Sequence, residues 1–381
     1  MHTHITLVGG QPIPEYTAIK ALKPNKVIYI HSNSSKIEAQ RIAKEFNDVE
    51  SEYIELDPTD FSDIMPKLNE LLKKMETENL LEEISINISS GTKQWSTALF
   101  DLMKNIPNIK IILVSQKGQM YDYANSKNVN YDRKLSIDTI LRIHGAENYK
   151  YMSLSDFSDE DEICTKAIEE FRAKNHKIYQ SINLVGDKER KEELKNSNAA
   201  TWKFNQYEVS WNKSMGLVSV KLLNENMESE IYEFKSPNAV HLFFKTGWFE
   251  YKVARIIEKW SKSTEIRTNV VFQTKQGQDD NEVDVLVEMG NKLLFVECKT
   301  QVKNPTDIDK FSSVAKKFGG LSAKKILITE YRVSQQVIEK CVKNDVLLYS
   351  IEFARKKNPR ISIEQGLFTL LNSASNEVNK K

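Results

Sequence analysis

From residue 281 to residue 301, apolar and polar positions alternate on both sides of Gly290-Asn291. Val283, Val285 and Val287 interleave with Glu282, Asp284, Leu286 and Glu288. Leu293, Phe295, Glu297 and Lys299 interleave with Leu294, Val296 and Cys298. A period of two predicts strands, and Gly-Asn between them predicts a tight hairpin. With Gly290 and Asn291 at the turn, Met289 faces Lys292, and counting outward sets Asp284 opposite Glu297 on one side of the sheet. Facing Cβ atoms lie about 5 Å apart. Lys299, two residues beyond Glu297, shares that side.

Elsewhere the pattern predicts two α/β regions. Apolar strand-like runs at 3–8, 26–30, 53–56, 84–88, 109–114 and 119–123 alternate with helical spacing at 15–22, 36–46, 61–78 and 92–104. Such alternation predicts a parallel sheet with helices on both faces. The middle reads as a helix at 135–142, an acidic loop at 156–162 marking a boundary, charged helices at 164–175 and 188–195, and strands at 204–211 and 216–223. One long amphipathic helix is predicted over 239–262, from the spacing of Val240, Phe243, Phe244, Trp248, Tyr251, Ala254 and Ile257. A strand at 265–274, a polar loop at 276–281, the hairpin, a helix at 307–318 stopped by Gly319-Gly320, a strand at 325–329, a helix at 333–343 and a strand at 346–351 complete the chain.

Bulk properties narrow the class. A chain of 381 residues accommodates two domains with a sizeable core each. Lys and Arg number 54 against 53 Asp and Glu, so the net charge of +1 points to no polyanion partner by itself, and a local basic patch would have to act alone. No apolar run reaches the roughly 20 residues that span a bilayer, and no secretory signal is visible at the N-terminus. Cys164, Cys298 and Cys341 are scattered, which fits a reducing cytoplasm and offers no zinc spacing.

Two constellations carry chemistry. In the N-terminal α/β region, ligands are expected beyond the carboxyl ends of the strands, where polar small-residue loops fall at 9–14, 31–35 and 87–93. Asn-Ile-Ser-Ser-Gly-Thr-Lys (87–93) runs straight into a helix. Gly91 permits close approach of an anion, Ser90, Thr92 and free N–H groups face it, and Lys93 adds charge, so the inference is a phosphate site. The loop is neither a Walker A motif nor a Gly-x-Gly-x-x-Gly fingerprint. A plain helix cap is the alternative. In the hairpin, two carboxylates and a lysine on one face repel unless a hard divalent cation sits between them, a site for metal-assisted phosphodiester hydrolysis. A solvated strand face is the alternative, opposed by the apolar run 293–298, which is expected of a buried strand. Gln301 is placed on the same face. Glu250 on the long helix flanks its buried stripe, with Glu258 as its rival. Lys316, Lys317, Lys324 and Lys325, and again Arg355, Lys356, Lys357 and Arg360, form basic clusters that either grip a phosphate backbone or are solvated surface.

Asp284 with Glu297-Cys298-Lys299 resembles the motif of the PD-(D/E)xK (restriction-endonuclease-like) nuclease superfamily. Gly-Gly-Gln-Pro after the first strand, Ser-x-Ser-Ser after the second and Ser-Gly-Thr-Lys after the fourth resemble CARF domains, the Rossmann-like sensors of CRISPR-associated proteins. End to end, the chain is similar to CRISPR-associated nucleases activated by cyclic tetra-adenylate. The resemblance implies an N-terminal Rossmann-like CARF domain at 1–145, linker helices and a small β segment at 146–235, and a restriction-endonuclease-like α/β domain at 236–381. It implies activator contacts from Gly10, Gln11, Pro12, Ser32, Ser34, Ser35, Ser90, Gly91, Thr92 and Lys93. It implies Mn²⁺ or Mg²⁺ held by Asp284, Glu297 and the Cys298 carbonyl, with Glu250 assisting and Lys299 aligning or activating water. Cleavage of single-stranded DNA and RNA, nicking of duplex DNA, a homodimer and a role in type III antiviral defence are implied as well. A non-catalytic cyclic-oligoadenylate-binding protein and a constitutive restriction or repair endonuclease are the competing readings.

Overall fold

The computed structural model describes residues 1–376, apart from 79, 116–118, 133, 184–187, 224–228, 245 and 303. Three sheets organise it. The N-terminal sheet contains β1 (His2–Leu7), β2 (Lys26–His31), β3 (Glu50–Glu55), β4 (Glu83–Asn87), β5 (Lys110–Val114), β6 (Met120–Asp122) and β7 (Lys127–Val129), in spatial order β3-β2-β1-β4-β5-β6-β7. The first five are parallel and the last two antiparallel. Helices α1 (Ile13–Leu22), α2 (Lys36–Lys44), α3 (Phe61–Thr77) and α4 (Lys93–Met103) connect the parallel strands. Each strand-helix alternation predicted from the apolar pattern is present. The short β7 lies in a polar run that carries no apolar signal.

Because β1 lies between β2 and β4, the chain changes direction across the sheet at β1, and the loops after β1 and β4 open side by side. This is the switch point where open α/β sheets bind ligands. A Cβ on Gly9 would come within 3.1 Å of the Gly91 nitrogen, so the two loops are in contact.

Next come α5 (Ile137–Ile143), β8 (Tyr149–Ser153), α6 (Asp159–Lys174), α7 (His176–Ile182), α8 (Lys188–Asn196) and an antiparallel sheet of β9 (Ala199–Lys203), β10 (Tyr207–Asn212), β11 (Leu217–Leu223) and β12 (Ser229–Lys235). Of the acidic stretch read as a loop, Asp159 to Glu162 form instead the first turn of α6. Asp161 is buried, and its carboxylate accepts the Ser158 N–H at 2.8 Å and the Asn238 N–H at 3.0 Å. Acidic residues crowd this turn because they cap exposed N–H groups and oppose the helix dipole.

The third sheet runs β17-β16-β15-β14-β13-β8. It contains β13 (Glu265–Gln273), β14 (Asp279–Glu288), β15 (Leu293–Lys299), β16 (Lys324–Thr329) and β17 (Leu347–Ser350). Thus β8, from the stretch between the two α/β regions, closes one edge. The predicted long helix is two, α9 (Ala239–Phe243) and α10 (Gly247–Glu258). Phe244 is extended and Thr246 left-handed (φ 68°), while a Cβ on Gly247 would lie 2.2 Å from the His241 carbonyl oxygen. Apolar periodicity ran through this corner because both helices bury the same aromatic cluster. Helices α11 (Thr306–Gly319), α12 (Gln335–Lys343), α13 (Ile351–Lys357) and α14 (Ile363–Asn376) complete the described elements.

The sheet's two faces have separate cores. Val285, Val287, Leu294, Val296 and Cys298 pack with α6, α9 and α10. Val283, Leu286, Leu293 and Phe295 pack with α5, α11 and α12, and Ile13 and Tyr16 of the N-terminal region pack onto this second cluster. The bidentate Arg142–Glu45 ion pair, at 2.8 Å, joins α5 to the end of α2.

Candidate active site

The hairpin forms as its turn chemistry dictates. Gly290 and Asn291 both have positive φ (70° and 62°), the signature of a two-residue type I′ turn. Met289 N–H donates to the Lys292 carbonyl at 2.9 Å, and Val285 pairs with Val296. Continued by one residue, this register sets Asp284 opposite Glu297. The turn is anchored from outside, since the Asn291 side chain accepts the Leu135 N–H at 3.0 Å.

At the carboxyl end of β15 the charged residues converge. Oδ2 of buried Asp284 accepts the Cys298 N–H at 2.6 Å, and Lys299 Nζ donates to Glu297 Oε1 at 2.8 Å. Burial raises the Asp284 carboxyl, opposed by Lys299. Burial first and then the Asp284 charge raise Glu297 to about 7. Burial, Asp284 and Glu282 raise Glu250 well above the usual carboxylate range. The same carboxylates hold Lys299 firmly protonated against its burial. Glu250 is therefore electrostatically part of the site. Its rival Glu258 is exposed and paired with Arg255 at 2.6 Å. Glu282 also feels the site, and sequence reasoning had left it out; its place on β14, two residues before Asp284, was the available signal.

Carboxylates whose protons are held first by burial and, at Glu297 and Glu250, also by neighbouring negative charge are the donor set a hard cation relieves. Among the described residues, no three His, Cys, Asp or Glu side chains form a ready cage. Two carboxylates, a backbone carbonyl and retained waters suit Mg²⁺ or Mn²⁺, which keep part of their hydration. Residues present and group implied therefore fit.

Other expectations fare differently. Gln301 lies just past the end of β15 and is exposed. Lys325 is buried, and its Nζ donates to the Asn344 carbonyl and, at 3.2 Å, to Ser312, so it is unavailable to a phosphate backbone.

In the N-terminal sheet, the predicted ligand loops gather above β1, β2 and β4. Ser35 donates its hydroxyl to the Val8 carbonyl at 2.9 Å, and the Ser32 hydroxyl contacts those of Ser34 and Ser35 at 2.9 and 3.2 Å. Ser32 and Ser35 are buried and tie the second loop to the first. Thr92 caps α4 by accepting the Trp95 N–H at 3.2 Å, as the capping alternative foresaw. Gly91 has φ 79°, and a Cβ there would meet Trp95 at 3.0 Å and Leu7 at 3.1 Å, so the loop requires glycine. Gly10 and Lys93 are exposed and Pro12 is buried. Gln11 points toward Gly320 of the third sheet's domain, 3.6 Å from where a Cβ there would sit.

Comparison with known proteins decides what these two ends are. Residues 3–140 match the family model for the Card1 CARF domain, and residues 238–352 match that for the Card1-like endonuclease domain. The chain is a CARF-domain protein with a Card1-like endonuclease domain. The resemblance drawn from the Gly-Gly-Gln-Pro, Ser-x-Ser-Ser, Ser-Gly-Thr-Lys and Asp…Glu-x-Lys residues is thereby shown. Its fold is shared by Can2 from Sulfobacillus thermosulfidooxidans, solved in complex with cyclic tetra-adenylate, at 18% identity and a TM-score of 0.65, over 98% of this chain and 99% of that one. Protein VC1899 from Vibrio cholerae is similar at 15% identity and a TM-score of 0.65, over 97% and 98%. A type III CRISPR defence DNA nuclease activated by cyclic oligoadenylate is similar at 14% identity and a TM-score of 0.50, over 94% of this chain and 52% of that one. No curated protein matches by sequence.

Proposed function

We propose that this CARF endonuclease is switched on by cyclic tetra-adenylate and hydrolyses phosphodiester bonds of single-stranded DNA and RNA, with nicking of duplex DNA, in type III CRISPR defence. The observation that carries the reading is the presence in one chain of loops meeting at a parallel-sheet switch point and of Asp284, Glu297 and Lys299 at one strand end. The Can2 complex supports the choice of activator. The loop residues Gly10, Gln11, Pro12, Ser32, Ser34, Ser35, Ser90, Gly91, Thr92 and Lys93 form the activator site in this reading. Domains at 1–145 and 236–381 flank a connecting segment at 146–235 that lends β8 to the endonuclease sheet.

Asp284, Glu297 and the Cys298 carbonyl would hold Mn²⁺ or Mg²⁺, with Glu250 assisting, and the ion when bound supplies Lewis-acid stabilisation of charge on the phosphate. The Cys298 N–H fixes the Asp284 carboxylate. Lys299, protonated and tied to Glu297, holds the attacking water by donating to it. A cyclic tetra-adenylate has internal symmetry, so a homodimer presenting two identical half-sites suits it, and binding then shifts the dimer toward its active arrangement.

A gel assay of single-stranded DNA and RNA with Mn²⁺, with and without cyclic tetra-adenylate, tests the reading. Cleavage only with the activator is expected. Cleavage indifferent to it removes the gating. Absence of cleavage under every metal and activator condition favours a non-catalytic signalling protein.

A further inference from the structure

Glu15 sits in the first turn of α1, three residues beyond the loop 9–12, and is entirely buried. Sequence reading assigned it no role. Its Oε1 accepts the Gly9 N–H at 3.2 Å, which fixes the loop after β1. The Ser90 hydroxyl of the loop after β4 lies near enough to favour its ionised form. Oε2 itself makes no hydrogen bond. One carboxyl thus stands directly behind both loops that meet at the switch point.

Its surroundings decide its charge. Among the described residues, the Gly9 N–H, its own N–H and the Ser90 hydroxyl favour the anion, and no charged side chain offsets its burial. Burial outweighs them and raises the carboxyl to about 8, so it is neutral at pH 7. In the neutral acid, Oε1 remains the acceptor for Gly9 and Oε2 carries the proton. Ionisation places an uncompensated negative charge behind loops expected to receive an anion, and buried charge of that kind is costly.

We propose that Glu15 is the positioning residue of the activator site: its buried carboxyl, bonded to the Gly9 N–H behind the loops after β1 and β4, fixes the Gly9 loop in its anion-receiving arrangement, and a negative charge there weakens the binding of a cyclic oligonucleotide's phosphates. This rests on the reading of these loops as the activator site.

The test titrates the full-length protein with fluorescently labelled cyclic tetra-adenylate from about pH 6.5 to about pH 9.5. Wild-type affinity is expected to fall about tenfold above pH 8, as a like charge within reach of the phosphates implies. Glu15→Gln, which keeps the acceptor for Gly9 and cannot ionise, holds its affinity over the same range, and Glu15→Ala binds weakly throughout. The Gln variant also controls for other groups that titrate at alkaline pH. Binding by both proteins with the same pH profile overturns the role of Glu15 and leaves the activator site standing. Absence of wild-type binding at every pH overturns the activator reading and this role with it.

Discussion

Asp284 and Cys298 are joined across the hairpin, the backbone N–H of Cys298 donating to Oδ2 of Asp284 at 2.6 Å. The bond clamps the carboxylate to the strand that carries Glu297 and Lys299, so the three groups keep one mutual geometry. Asp284→Asn keeps the shape and removes the charge. Cleavage is expected to fall at least about 100-fold, the scale of losing one positioned group in the transition state, with activator affinity unchanged. Single-turnover cleavage beside an activator-binding titration checks both halves.

Glu250 and Glu258 separate cleanly. Glu250 is buried and feels Asp284, Glu282 and Glu297, whereas Glu258 only pairs with Arg255 on the surface. Glu250→Gln is expected to raise the Mn²⁺ concentration needed for half-maximal cleavage by about tenfold, in line with losing a group around a metal site. Glu258→Gln leaves that concentration unchanged, because an exposed pair contributes about 0–1 kcal/mol. A metal titration of cleavage for each variant settles the comparison.

Gly319 lies at the end of α11, where a Cβ would come within 2.6 Å of the Phe295 ring and 2.7 Å of the Ala323 Cβ. Neither neighbour is a flexible chain end. Gly319→Ala is expected to cost about 1–3 kcal/mol by overpacking, seen as a lower urea midpoint at an unchanged slope. A neutral result would mean that Phe295 moves freely.

The hairpin was legible because its turn chemistry fixes register over a few residues: Gly290-Asn291 leaves one pairing, which runs to Val285 against Val296 and brings Asp284 onto the strand of Glu297. The N-terminal sheet was legible because each parallel strand is apolar and followed by a helix with its own periodicity. What stayed hidden depends on distant partners. Tyr149–Ser153 becomes a strand only because β13 offers an edge. The corner at Phe244 to Gly247 is invisible in a stripe that both helices share. Glu15 reads as an ordinary first-turn acid, and only the closing of the Gly9 and Ser90 loops over it makes it buried. Asp161 reads as part of an acidic loop because its partner Asn238 lies far along the chain.

His4 yields a prediction of stability against pH. It is entirely buried on β1, its Nδ1 2.8 Å from the Ser85 hydroxyl, and burial with the nearby His2 lowers it to about 3. In the unfolded chain it titrates near 6.5. Between these values the unfolded state binds the extra proton, so stability falls as pH drops below about 6.5 and levels off below about 3. The full linkage is on the order of 4–5 kcal/mol as an upper bound. Urea midpoints at about pH 7 and about pH 5 should differ less for His4→Asn than for wild type. Equal differences in the two proteins would assign the acid lability to other groups.

In the proposed function, the route from the loop after β1 to the strand of Glu297 is short. Gln11 lies beside Gly320, and a Cβ there would be 3.6 Å from its Oε1. The same Cβ would be 2.5 Å from Nε2 of His144, whose Nδ1 bonds the Ile140 carbonyl at 2.8 Å at the end of α5. Gly319, next in the chain, rests on Phe295, two residues before Glu297 on β15. If that loop receives the activator, a shift on binding would press on His144 and the Gly319-Gly320 turn, and the turn bears on the strand holding Glu297. Packed elements of this kind transmit displacement because their contacts have few alternative arrangements. His144→Leu keeps most of the volume and removes the polar ring edge beside Gly320. It is expected to leave activator affinity within about twofold while lowering the ratio of activator-stimulated to basal cleavage by about fivefold, a coupling loss of ~1 kcal/mol. Binding and cleavage measured on the same preparation give that ratio directly. A ratio equal to wild type would move the coupling to another contact, with the Arg142–Glu45 pair the next to test.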